Sequence, residues 1–232
     1  MIDKSSRVYL GIISVWLLVD LAFWISPPDY ILSGHTVSLQ RIAIDICLII
    51  AGFFVLKLAP ISGFEQFYPS QKPLFRSFGT PLLFGLAIGL INISLDLTFA
   101  LGDIHADFPV SIPYYFAGGL YFEIMYKLLP LGIFHWALSY WLLDNKYQVA
   151  CFWILALIVC FYEPYSVLQL ANNPNVPGNM SNITLVYSLA TITYGINLLG
   201  SYLFWTRGFL ATLSLRWGLY ITWHVVWPLM YY

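Results

Sequence analysis

Seven apolar runs dominate this chain: residues 8–25, 42–58, 80–101, 114–143, 149–161, 183–205 and 209–231. A helix that crosses a bilayer needs about 20 predominantly apolar residues. In hydrocarbon no water bonds a free N–H or C=O, so a spanning segment must satisfy its own backbone, as a helix does. The runs therefore predict an all-α fold, a polytopic transmembrane helical bundle of about seven spans. The fourth run is too long for one straight span, and Pro130 in its middle predicts a kink or a split. A split gives eight spans.

Composition closes the alternative of a soluble globule. Only 9% of the 232 residues are charged and 60% are hydrophobic; a soluble domain carries about 25% charged residues. We expect a single integral membrane domain over residues 1–232, with no second domain and no repeat. Ten basic and eleven acidic residues give a net charge of −1 without a basic stripe, which excludes nucleic-acid binding as a main role. Cys47, Cys151 and Cys160 fall inside apolar runs without CxxC spacing and read as packing residues. Lys4 and Arg7 precede the first run as in a signal peptide, but no A-x-A-like site follows, and the run exits into Ser26-Pro27-Pro28-Asp29. It reads as a retained span.

The connecting segments are short. Residues 62–79 mix aromatic and charged side chains with two prolines, as an interfacial loop or short surface helix does. Residues 102–113 read as a polar, acidic loop, and residues 166–182 as an irregular one. That last loop holds the sequons Asn179-Met180-Ser181 and Asn182-Ile183-Thr184, which are glycosylation acceptors in a eukaryote or, the favoured reading, chance products of an Asn-rich segment. If spans alternate, Lys4, Arg7, Lys57, Lys72, Arg76, Lys146 and Arg207 share one side and Arg41 the other. The basic side is cytoplasmic. The N-terminus is then cytoplasmic, in a multi-pass protein of a bacterial inner membrane or a plasma membrane.

Ionisable side chains in lipid are costly and face a partner or a cavity. Asp20, Asp45, Asp96, Glu123, Lys127, Glu163, Arg216 and His224 are the residues of interest. Asp20 and Asp45 lie near the ends of their runs, within reach of the interface. Asn92 and Asp96 are four apart on one helix face, following Gly85-x-x-x-Gly89. They read either as a packing face with a hydrogen-bonded Asp or as a proton or ion site. Glu123 and Lys127 are also four apart, in the order that favours an intrahelical ion pair. Arg216 and His224 are two turns apart on roughly one face, with Glu123 and Glu163 as candidate partners for His224.

Most membrane chemistries leave signatures that are missing here. The chain has no HExxH, no Gly-x-Ser-x-Gly, no GxGxxG and no P-loop, so neither a metal nor a cofactor is expected. His135 and His224 are the histidines within runs, too few for paired haem ligation. Two similar halves with broken helices, common in transporters, are not found.

The stretch Ala117-Gly118-Gly119-Leu120-Tyr121-Phe122-Glu123-Ile124-Met125-Tyr126-Lys127-Leu128-Leu129 resembles the first motif of the CPBP family, the CAAX-protease and bacteriocin-processing intramembrane proteins. That motif has two consecutive glutamates, three residues, then arginine. The closing region, Tyr194-Gly195 to Gly200, Trp205-Thr206-Arg207-Gly208-Phe209-Leu210 and Trp223-His224, is similar to the family's last helices. The resemblance covers a core at about residues 114–228; residues 1–101 carry no recognised motif. It implies that Glu123 and His224 hold and activate a water for peptide hydrolysis, and Glu163 would join them if the site is rearranged. Three positions depart: Phe122 stands at the first glutamate, Tyr165 at the second-motif histidine, and Pro228 at the third-motif Asn or Asp. Such a site loses transition-state stabilisation. The expectation is therefore a pseudoenzyme, acting as scaffold, chaperone or subunit of a membrane complex. An active intramembrane endopeptidase is the alternative, and a small proton-coupled carrier using Asp96, Asp45 and Glu123 the second. Lys127, Arg216, Asp96 and Asn92 are expected as structural polar residues. The expected partners are membrane lipids, another membrane protein or a transmembrane peptide.

Overall fold

The computed structural model describes residues 3–27, 38–68, 73–101, 105–170 and 182–231, and these are all-α, with no strand among them. The triplet at Asn179, Lys72 and Gly102-Asp103 lie outside the described residues. Asn182 is described, and its side chain caps the eighth helix through Thr184 N–H at 3.0 Å.

The helices are α1 (Lys4–Ile25), α2 (Leu39–Leu58), α3 (Thr80–Phe99), α4 (Ser111–Glu123), α5 (Leu129–His135), α6 (Gln148–Val159), α7 (Tyr162–Leu170), α8 (Ile183–Arg207), α9 (Phe209–Tyr220) and α10 (Trp227–Tyr231). π-helical turns precede α3 (Phe75–Gly79), follow α4 (Ile124–Leu128) and α5 (Trp136–Leu142), and join α9 to α10 (Ile221–Val226). Five segments are long and apolar enough to cross a membrane: Lys4–Ile25, Leu39–Ser62, Phe75–Phe99, Gln148–Gln169 and Ile183–Arg207.

The fourth run is neither split nor broken at Pro130. Its helix continues through residues 111–142 because the π turn lies directly ahead of the proline. Leu129 N–H reaches back to the Ile124 carbonyl, and widening the turn relieves the crowding a proline ring imposes on the preceding turn. Residues 74–79, expected as loop or surface helix, lead into α3 as helix. Residues 166–170, expected as irregular loop, belong to α7.

Each outer helix buries one stripe. α1 buries Ser6, Tyr9, Ile13, Trp16 and Asp20, an alternation of three and four that marks one face. Its other face leaves Leu18 and Ile25 exposed, as lipid contact allows. α9 differs, because every residue from Phe209 to Leu219 except Trp217 is buried. It is the central helix, enclosed by α3, α4 and α8.

The closest crossing is that of α3 with α9. A Cβ on Gly85 would stand 2.1 Å from the Leu215 carbonyl oxygen, and one on Gly218 would stand 2.3 Å from that of Leu82. Only a hydrogen side chain admits such an approach. This crossing aims Arg216 towards α7 and α8 and brings the last helix against Asp96.

Candidate functional site

Four ionised groups from four segments meet in the interior. Glu123 ends α4, and Lys127, one turn on, donates to its Oε1 at 2.6 Å and its Oε2 at 2.8 Å. Arg216 of α9 donates through Nε to Glu123 Oε1 at 2.8 Å, and Thr212, one turn before it, donates to Oε2 at 2.7 Å. The guanidinium then forks onto Glu163 of α7, with Nη1 to Oε1 and Nη2 to Oε2 both at 2.8 Å. Asn197 of α8 completes the network: its Oδ1 accepts from Arg216 Nη2 at 2.9 Å and its Nδ2 donates to Glu163 Oε2 at 2.9 Å.

The charges balance, two carboxylates against two cations. Glu123, Lys127 and Arg216 are at most 3% exposed, so each would be costly alone. Gly200 makes room for the lysine, since a Cβ there would stand 2.9 Å from Lys127 Nζ. A carboxylate offers about four acceptor positions, and four donor contacts fill those of Glu123. Among the described residues, nothing in this arrangement leaves the carboxylate a place to hold and deprotonate a water.

His224 lies elsewhere. It was expected to meet Glu123 or Glu163, and it meets neither. Eight residues of helix carry it about 12 Å along the axis from Arg216, and the two side chains serve different clusters. His224 Nδ1 lies 2.9 Å from Nδ1 of His105, and the Tyr115 ring stacks on it with centroids 4.3 Å apart. His105 Nε2 is 3.7 Å from Asp96 Oδ2. The Asp96 carboxylate accepts from the Trp227 indole at 2.7 Å and from Leu101 N–H at 3.1 Å. Asn92, on the same face as Asp96, is buried, and its Oδ1 has no partner among the described residues.

Asp20 and Asp45 are buried inside the bundle. They are 6% and 1% exposed, and their carboxyls face each other between α1 and α2. Arg41, one turn before Asp45, donates Nε to Asp45 Oδ2 at 2.9 Å and lies over the Tyr121 ring at 4.0 Å. The antiparallel pairing of α1 and α2 brings these two run ends together and covers them.

The opposite end gathers Lys4, Lys57, Arg76 and Arg207. Lys57 bonds Asp3 and holds that exposed carboxyl well below the ordinary carboxylate range. Lys4 lies over the Tyr68 ring at 4.9 Å, and Arg207 donates to the Arg76 carbonyl at 3.1 Å.

Sequence reasoning missed His105, Asn197 and Thr212. His105 falls in a polar loop, and the other two are neutral, so a search for ions inside apolar runs passes over all three. No three His, Cys, Asp or Glu residues among those described converge as metal ligands. No protein-family model matches the chain, and no curated protein and no solved structure matches it either.

Proposed function

We propose that this chain is a CPBP-like, non-catalytic multi-pass membrane protein that acts as a scaffold, chaperone or subunit of a membrane complex. It crosses the membrane of a bacterium, or a plasma membrane, about seven times, with its N-terminus cytoplasmic. One observation carries the reading: both oxygens of Glu123 are engaged by Lys127, Arg216 and Thr212, while His224 is bonded to His105. A hydrolytic pair needs a carboxylate and an imidazole within reach of one water. A closed, neutral polar network instead fixes how helices meet, since satisfied buried networks rigidify a core. The apolar faces of the outer helices supply the surface for lipid and for a partner helix.

The test is isolation of the tagged chain from its native membrane in lipid-preserving discs. A stoichiometric membrane-protein partner is expected, retained by Glu123→Gln and His224→Gln variants that still fold. A monodisperse monomer without a partner, whose cleavage of a membrane reporter disappears in both variants, overturns the reading in favour of an intramembrane endopeptidase.

A further inference from the structure

We propose that Asp96, His105 and His224 form a proton relay whose basic end is His224 Nε2, a site that accepts one proton from a water or another protic group at that end of the bundle. This inference does not depend on the role of the Glu123 network.

The argument starts at Asp96. The Trp227 indole and the Leu101 amide fix its carboxylate, and Oδ2 points to His105 Nε2 at 3.7 Å. A neutral imidazole carries its hydrogen on one nitrogen and a lone pair on the other. A lone pair aimed at a carboxylate is repelled, so His105 keeps its hydrogen on Nε2. Its Nδ1 is then an acceptor. The 2.9 Å contact between the two Nδ1 atoms needs one donor, and His224 supplies it. The free lone pair of His224 therefore lies on Nε2.

A proton added there leaves the Nδ1–H···Nδ1 bond intact, and its charge is balanced by Asp96 through His105. A second added proton would set two N–H groups against each other at 2.9 Å, so the site holds one. Tyr115, Trp223 and Tyr220 wall the His224 ring, with centroids at 4.3, 4.2 and 5.3 Å. The Tyr220 ring also meets the Arg216 guanidinium at 5.8 Å. Asp96 and His105 are 4% and 1% exposed, whereas His224 is only half-buried, so the relay runs from a covered anion to an accessible ring.

The test uses the full chain with nitrogen-15 histidine in lipid discs at neutral pH. Spectra should show His224 protonated on Nδ1, His105 protonated on Nε2, and a coupling across the Nδ1–H···Nδ1 bond in the unsubstituted protein. His224 protonated on Nε2 instead overturns the proposal. Asp96→Asn keeps an amide oxygen for the Leu101 N–H, removes the charge and gives up the Trp227 hydrogen bond, because its NH2 cannot accept from the indole. It should lower the proton affinity of His224 about tenfold or more, seen as a fall in its titration midpoint while the unfolding midpoint stays well above the temperature of measurement. An unchanged midpoint in folded Asp96→Asn also overturns it. If that variant fails to fold, the tautomers and the coupling in the unsubstituted protein decide alone.

Discussion

Arg216 gives Glu123 one hydrogen bond and Glu163 two, each at 2.8 Å. Without its guanidinium, two buried carboxylates face a single ammonium. Arg216→Met should cost about 3–5 kcal/mol, the range for breaking one side of a buried ion pair. The loss is read as a fall in the unfolding midpoint in detergent. Arg216→Lys should recover little of it, because an ammonium cannot fork onto Glu163 while also reaching Glu123. Pairing Arg216→Met with Glu163→Gln should cost less than the two changes summed, since the second removes the charge the first leaves stranded. An additive cycle would contradict the coupling. The sequence shows the Glu123–Lys127 pair directly, because a separation of four fixes both on one helix face. It also flags Arg216 and Glu163 as costly ions. What it does not show is that they join each other: helical spacing says which residues share a face, not which neighbouring face they meet. His224 was misplaced for that reason.

Helix ends are legible to within a few residues at Ser26, Ser38 and Gly208, where apolar composition changes abruptly, but not after residue 161, where α7 follows. Nor is the effect of Pro130 legible. A proline predicts a break only where the turn before it stays α-helical, and here a π turn takes up the strain. The glycines divide in a way the sequence only half reveals. Gly85→Leu should push α3 from α9, because even its first carbon would overlap the Leu215 carbonyl. The expected result is a loss of several kcal/mol, read in the same unfolding assay. Gly118, in α4, has no atom within 4 Å of its would-be Cβ. Gly118→Ala should be neutral or stabilise by about 0.5–1 kcal/mol, since alanine restricts the unfolded chain. Equal effects at the two sites would contradict the described crossing. At the start of α1, Asp3 accepts from Ser6 N–H at 2.8 Å and bonds Lys57. Its lowered folded-state value means that this support is complete above the unfolded value, about 3.9, and fades as pH falls through the folded value. The effect of Asp3→Asn on hydrogen exchange at the first turn of α1 should therefore be full above about pH 4 and shrink as pH falls further.

At the scale of the molecule, the two ends carry different charge. Lys4, Lys57, Arg76, Lys146 and Arg207 end or begin helices at one end, and contacts such as Arg207 to the Arg76 carbonyl tie that end together. The other end has Arg41, engaged by Asp45, and the Asp96–His105–His224 cluster. Lys and Arg resist translocation across a membrane, and the orientation we propose therefore puts the basic end in the cytoplasm. The exposed apolar faces of α1, α2 and α6 suit contact with lipid. The orientation predicts which engineered cysteines a membrane-impermeant maleimide reaches in intact cells. In a Cys47→Ser background, Leu39→Cys at the start of α2 should be labelled from outside. Lys146→Cys, in the turn ahead of α6, should be labelled only after the membrane is opened. The reverse pattern would invert the bundle and place the proton-accepting end of the relay in the cytoplasm, where it would meet a buffered pH instead of the external one.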